Sequence, residues 1–177
     1  MGGGPWKAAA TGVTGRQVLV RAAQSRDLDT VVGIERTSFA DPWSRESFES
    51  SIEPQRMRFL VAVEVDASVA AADTPSGEPL ILGYVVALLL FDEAEIANLA
   101  VAPSARRRGI GCLLLDRMSG DLAGEGVQSL YLDVRESNAG ARALYASRSF
   151  EEVGRRRRYY RHPTEDALLL KRNLQPT

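Results

Sequence analysis

Residues 101–111 read VAPSARRRGIG, in which Arg106, Arg107 and Arg108 run straight into Gly109 and Gly111 ahead of an amphipathic stretch. A helix opening there presents unpaired backbone N–H groups and about half a positive charge, and both attract an anion. Glycine lets backbone approach such a ligand closely, and guanidinium forks match phosphate oxygens. Together these residues suit the grip on a diphosphate. The structural alternative is a solvated basic turn whose glycines merely permit a bend. Two common phosphate loops do not fit. Leu114 stands where a dinucleotide fingerprint needs its third glycine, and no GxxxxGK[ST] segment exists.

Other charged residues gather at two places. Asp92, Glu93 and Glu95 crowd one strand end, where they either face solvent or draw in a cationic terminus. Arg155 to Arg158 form the most basic run, and on a strand their side chains alternate faces, which makes a solvated strand the expectation and an RNA contact the alternative. Cys112 is the only cysteine and His162 the only histidine. That leaves no disulfide framework and no metal-ligand cluster, and a reducing cytoplasm fits.

Positioning these groups requires a scaffold, and its elements are legible from periodicity. VLVR from Val18 reads as a strand. A helix follows, capped by Ser25 or Asp27 and carrying Leu28, Val31, Val32 and Phe39 on one face until Pro42 stops it. Ser44 caps a short second helix. RFLVAVEV and LILGYVVALLLF are strands joined by a long hairpin connection over 66–79, and AEIANLAV is a third that ends at Pro103. Ile110, Leu113, Leu114, Met118 and Leu122 repeat at helical spacing, with Gly124 and Gly126 closing that helix. SLYLDVRE, SNAGARALYASRSF, EEVGRRRRYY and ALLLKRNL complete the order β-α-α-β-β-β-α-β-α-β-β. This is an α/β (α+β) chain with a mixed, mostly antiparallel central sheet flanked by helices.

The chain has 177 residues, 45% of them hydrophobic and 25% charged, enough for one domain with a real core over 18–177. The stretch before it, over 1–17, lacks the apolar core of a signal peptide and reads as a flexible leader. A net charge of −1 argues against a protein that coats nucleic acid or anionic membrane. No apolar run approaches the roughly 20 residues that span a bilayer, so a soluble, cytoplasmic protein is expected.

VAPSARRRGIGCLLL resembles the V-x-P-x-x-[QR]-R-x-G-x-G/A motif of the GCN5-related N-acetyltransferases, the GNAT family, whose turn holds the pyrophosphate of acetyl-CoA. FADPWSRESF, DEAEIANLAV, YLDVRESNAGARALYASRSF and RRRRYYRHPTEDALLL are similar to segments of that family's bacterial ribosomal-protein-alanine N-acetyltransferases. The likeness spans roughly residues 18 to 172 in matching order.

The resemblance implies acetyl-CoA as cosubstrate, with no metal. Backbone groups of Leu99, Ala100 and Val101 would pair with the pantetheine arm like an added strand. Arg107, Arg108, Gly109, Ile110, Gly111 and Cys112 would hold the diphosphate, Arg106 would belong to the same cofactor site, and Asn138 would reach the cofactor arm or serve as an N-cap. Tyr145 matches the family tyrosine beside the thioester sulfur, where a phenol can protonate the departing thiolate. Its spacing from Ala141 and Leu144 also fits a core position. An α-amine with pKa near 8 arrives mostly protonated, so a base or water relay is needed. Asp133, where the ribosomal enzymes carry a glutamate, is the first candidate, acting through water because aspartate is one methylene shorter; Glu95 is the second. Phe39, Trp43, Glu93 and Glu95 would line the acceptor groove.

The implied acceptor is a protein α-amino terminus, the N-terminal alanine of a small-subunit ribosomal protein, attacked directly in a ternary complex. A small-molecule amine, a lysine side chain, and a non-catalytic coenzyme A- or ribosome-binding module are the alternatives. No membrane or direct nucleic-acid partner is expected, and a monomer or weak dimer is. One departure from the family is Ser149, where a glycine precedes Phe150. A left-handed residue there costs about 1–2 kcal/mol without glycine, so an altered helix end is expected.

Overall fold

Strands form where β-branched and leucine-rich runs occur, and helices where apolar residues recur every three or four positions. A computed structural model describes residues 8–11, 15–52, 55–66 and 79–174. Its elements are β1 (Ala8–Thr11), β2 (Arg16–Ala22), α1 (Leu28–Ser38), α2 (Arg45–Ile52), β3 (Met57–Asp66), β4 (Leu80–Leu90), β5 (Glu93–Val101), α3 (Ile110–Gly124), β6 (Ser129–Arg135), α4 (Ala139–Ala146), β7 (Glu151–Arg161) and β8 (Thr164–Asn173). The strands make one eight-stranded sheet in the order β1-β2-β3-β4-β5-β6-β8-β7, in which only the β5–β6 pair is parallel. No helix among the described residues is long and apolar enough to cross a membrane.

The sheet carries a core on each face. Ile110, Leu114, Leu115, Met118 and Leu122 of α3 pack on one face with Leu130 and Leu132. Leu28, Val31 and Val32 of α1 and Phe48 of α2 pack on the other with Val61 and Tyr84. Covered on both sides, β4 reads as an almost unbroken apolar run with no polar alternation, as burial of both strand faces demands. Gly83 lies at its tightest point: a Cβ there would come within 2.7 Å of the Ala100 carbonyl oxygen on β5.

Two features of β5 open the site. A bulge displaces Ala97, so that Val86 of β4 pairs with Asn98 while Ala87 pairs with Ile96. The parallel pairing with β6 covers only Glu93–Ile96 against Ser129–Leu132, and past it the two strands part.

Several expectations change. The leader over 1–17 does not stay apart from the sheet throughout, because Ala8–Thr11 pairs antiparallel with β2 and satisfies an otherwise open strand edge. Of the hairpin connection over 66–79, residues 67–78 lie outside the described residues. Asp27 sits at the N-cap of α1, but its carboxylate accepts from Arg21 Nη1 at 2.6 Å and Nη2 at 2.9 Å and from the Gln24 N–H. Phe39 leaves the helical face: its backbone is extended at φ −128° and its ring is 39% exposed. Ser149 does not alter the helix end but adopts the left-handed conformation itself, φ 60°, while the Phe150 N–H reaches the Tyr145 carbonyl at 3.1 Å. The arginine run is not an evenly alternating strand, for the register with β8 shifts between Arg156 and Tyr160, and Arg158, at φ 52°, gives its N–H to Asp166 Oδ1.

Candidate active site

The turn before α3 opens a helix N-terminus onto a cavity. Gly109, left-handed at φ 79°, is the N-cap, and the first intrahelical bond runs from the Leu113 N–H to the Gly109 carbonyl at 3.0 Å. The N–H groups of Ile110, Gly111 and Cys112 are therefore the helix's unpaired donors. All three residues line a cavity of about 840 Å³, with Leu99, Ala100 and Val101 of the parted β5 along one side and Asn138 to Ala141 along another. At Gly111 a Cβ would come within 3.1 Å of Leu144 Cδ2, so this glycine also lets α3 approach α4. Open donors at a helix N-terminus beside a free strand edge fit the pyrophosphate and amide-bearing arm of acetyl-CoA.

The arginines divide their work. Arg106 gives its Nε–H to the Val101 carbonyl at 3.2 Å, which occupies one of the strand groups expected to face the cofactor. Arg108, expected at the cofactor, is turned away: its guanidinium pairs with Glu64 of β3, and the cavity is not lined by it. That pairing, assisted by Arg16, holds the Glu64 carboxyl below its ordinary range. Arg107 lines the cavity with φ 62°. Asn138 performs its capping role, its Oδ1 accepting the Ala141 N–H at 3.1 Å, and it borders the cavity as well.

A second cavity, of about 550 Å³, adjoins the first, and Phe39, Leu99, Asn138, Ala141 and Leu144 border both. Tyr145, Asp133, Glu95 and Trp43 line it, so the structure brings together the expected acid, both carboxylate candidates and two acceptor-side aromatics. Glu93 stays outside. Its Oε1 accepts from the Tyr131 hydroxyl at 3.1 Å toward the far end of β5.

Tyr145 is 7% exposed, its ring 5.7 Å from that of Phe150. Core packing and cavity lining are thus both true of it. Burial, reinforced by the neighbouring Tyr160, raises its phenol above the ordinary range, which keeps the O–H protonated at neutral pH. Asp133 projects from β6 with its side chain 9% exposed; Oδ2 lies 3.3 Å from Arg156 Nε, and Oδ1 is buried without a hydrogen-bond partner among the described residues. Burial raises its carboxyl, and Arg156 opposes that shift. Glu95 is raised as well, first by burial and then by the negative charge of Asp133. Two carboxyls biased toward accepting protons share one cavity.

Sequence reasoning missed three contributors. Tyr159 and Tyr160 enter the cavity because the β7 bulge redirects the strand, and Tyr160 lies beneath the Arg135 guanidinium at 4.1 Å with its phenol pushed up to about 12 by burial. Their signal was an aromatic pair just ahead of the His162–Pro163 turn. Glu35, also lining the cavity, was hidden as one polar letter at the next position of the apolar stripe of α1.

This fold and paired cavities belong to a class that comparison with known proteins identifies. The model of the acetyltransferase (GNAT) family matches residues 28–150, and the chain belongs to that family; it is an acetyl-CoA-dependent N-acetyltransferase. It is similar to the [ribosomal protein bS18]-alanine N-acetyltransferases of Salmonella typhimurium LT2, 36% identical over 149 residues covering 81% of this chain and 89% of that one, and of Escherichia coli K12, 33% identical over 155 residues covering 85% and 94%. The crystal structure of the ribosomal-protein-S18-alanine N-acetyltransferase from Escherichia coli superposes with a TM-score of 0.74 at 30% identity, covering 90% of this chain and 96% of that one.

Proposed function

We propose that this enzyme acetylates the N-terminal α-amine of a protein, the alanine terminus of ribosomal protein bS18, by direct attack within a ternary complex. The observation that carries the reading is the meeting of a buried phenol, Tyr145, and a buried carboxylate oxygen without a hydrogen-bond partner among the described residues, Asp133 Oδ1, in one cavity that adjoins the cleft at the α3 turn.

The N–H groups of Ile110, Gly111 and Cys112, with Arg107, hold the diphosphate of acetyl-CoA, and β5 pairs with its amide-bearing arm. Bound in this way, acetyl-CoA supplies the activated acyl group. Asp133, or a water it orients, takes a proton from the incoming ammonium, because only the neutral amine has a lone pair. As the amine nitrogen bonds to the acetyl carbon, the carbon–sulfur bond breaks, Tyr145 gives its proton to the leaving sulfur, and the surplus proton on the new amide nitrogen passes through water to restore the phenol. Glu95 lines the same cavity and feels the charge of Asp133, and it is the second candidate for the base. Phe39, Trp43, Tyr159 and Tyr160 flank the acceptor, and the carboxylates favour its positive charge.

The test is mass spectrometry of peptides that begin with the bS18 terminus or with its first residue changed, each incubated with acetyl-CoA and enzyme. Acetyl on the α-nitrogen of the alanine peptide supports the reading. Acetyl confined to lysine side chains, or equal labelling of every first residue, refutes it.

A further inference from the structure

Glu35 breaks the local rules of its helix. Leu28, Val31, Val32 and Glu35 fall at i, i+3, i+4 and i+7 on the buried face of α1, so a carboxylate occupies a position that the pattern reserves for an apolar side chain. It also lies near the helix C-terminus, where backbone carbonyls disfavour an acid. Yet Glu35 is 1% exposed, and the donors that reach it among the described residues are all uncharged. A buried acid kept against burial and dipole alike points to a use for its hydrogen bonds.

Those bonds come from three separate elements. Oε1 accepts the Trp43 backbone N–H at 2.8 Å and Asn98 Nδ2 at 3.0 Å, and Oε2 accepts the Tyr84 hydroxyl. Tyr84 is fixed in the core at 0% exposure, and Asn98 follows the β5 bulge directly. Trp43 lies in the connection from α1 to α2, residues 39–44, of which Phe39, Asp41 and Trp43 line the cavity beside Tyr145 and Asp133. Among the described residues, the Trp43 N–H makes the one hydrogen bond from residues 40–43 to the rest of the protein. A single carboxylate thus ties the acceptor-side loop to the bulged strand.

We propose that Glu35 is a positioning residue for the acceptor: it fixes the Phe39–Trp43 loop against β5, so that acceptor KM depends on it and acetyl-CoA affinity does not. The proposal rests on the reading of this cavity as the acceptor site. Charge is not what the tether needs. A glutamine can accept from Trp43 and Asn98 through its carbonyl oxygen and donate to the Tyr84 oxygen.

Glu35→Ala and Glu35→Gln are compared with wild type, using the alanine-terminal peptide as acceptor and calorimetry for acetyl-CoA. Glu35→Ala is expected to raise peptide KM by about tenfold or more, the scale of one lost positioning bond. Acetyl-CoA affinity should stay within about twofold, and Glu35→Gln should restore most of the KM. Unchanged KM in a folded Glu35→Ala protein would overturn the proposal, even with a lowered Tm. Amide exchange in wild type provides a reading that needs no variant: the Trp43 amide should exchange far more slowly than those of Ala40 and Asp41, and equal rates would also overturn it. If wild type acetylates no peptide, the functional reading fails, while the exchange measurement still decides the tether.

Discussion

Asp133→Asn should slow the enzyme and stabilise it at once. The Asp133 side chain is 9% exposed, and its two oxygens are unequally served. Oδ2 has Arg156, whose own side chain is 49% exposed, and a pair of that kind contributes about 0–1 kcal/mol. Oδ1 is buried without a partner among the described residues, and an unsatisfied buried acceptor costs about 1–3 kcal/mol, more when it carries charge. The raised carboxyl says the same in terms of protons. A folded pKa above the unfolded one means that the folded state holds the proton more tightly, so stability is fullest below the unfolded pKa and falls as pH rises through the raised range. At neutral pH the carboxylate is a net cost. An amide of the same shape removes the charge, and a gain of about 1 kcal/mol corresponds to roughly 2–4 °C in Tm for a chain of this size. Turnover should fall by about 10² or more, the usual scale for loss of a general base, with partial recovery at high pH where more acceptor amine is already neutral. Thiol release with the alanine-terminal peptide and a thermal melt with and without acetyl-CoA measure the two effects. A stabilised variant with wild-type turnover would remove Asp133 from the chemistry and pass the role to Glu95. A lowered Tm would refute the account of Oδ1.

Tyr145→Phe keeps the ring against Phe150 and deletes only the hydroxyl, so acetyl-CoA affinity and Tm should hold while kcat falls by about 10² or more; unchanged kcat would exclude Tyr145 as the acid. Arg156→Ala removes the cation that lowers both Asp133 and Glu95, so the acid limb of the kcat/KM profile should move to higher pH, and a stationary limb would separate those carboxyls from the titration that governs rate. Ser149→Gly relieves a left-handed serine at φ 60°, a cost of about 1–2 kcal/mol, against about 0.5–1 kcal/mol of glycine entropy. A net gain of roughly 0.5–1 kcal/mol should appear as a higher Tm with unaltered turnover, and a lower Tm would show that the serine side chain is itself stabilising.

What the sequence revealed and what it hid follow one division. The helices α1 and α3 were legible because burial imposes a period and β4 because burial of both faces demands an unbroken apolar run, and the α3 turn because a glycine-arginine run before a helix has few uses. β1 was not, since the pairing of AAAT with β2 is backbone chemistry that needs no particular side chain. The partners of the three arginines were equally hidden. Adjacent in sequence, they diverge because Arg107 and Gly109 are both left-handed, which sends Arg106 to β5 and Arg108 to Glu64. Tyr159 and Tyr160 became cavity residues through a register shift that no one-dimensional pattern encodes.

The carboxylates of the acceptor cavity can be told apart by counting what each oxygen already accepts. A carboxylate offers about four lone-pair sites. Glu35 fills three from fixed donors on three elements and has little left to offer a substrate, which suits a residue that holds others in place. Asp133 holds one guanidinium at 3.3 Å and keeps a whole oxygen unused in a buried setting. An ammonium entering that space gains a charged hydrogen bond, and the carboxylate gains its missing donor, so binding the acceptor relieves a cost that the free enzyme carries. In the proposed mechanism the same imbalance favours proton transfer to Asp133, because a carboxyl raised by burial is a stronger base than one in water. In the proposed reading the two acids of this cavity, Glu35 on α1 and Asp133 on β6, divide the labour: the satisfied one fixes geometry, and the unsatisfied one gains its donor when the acceptor binds.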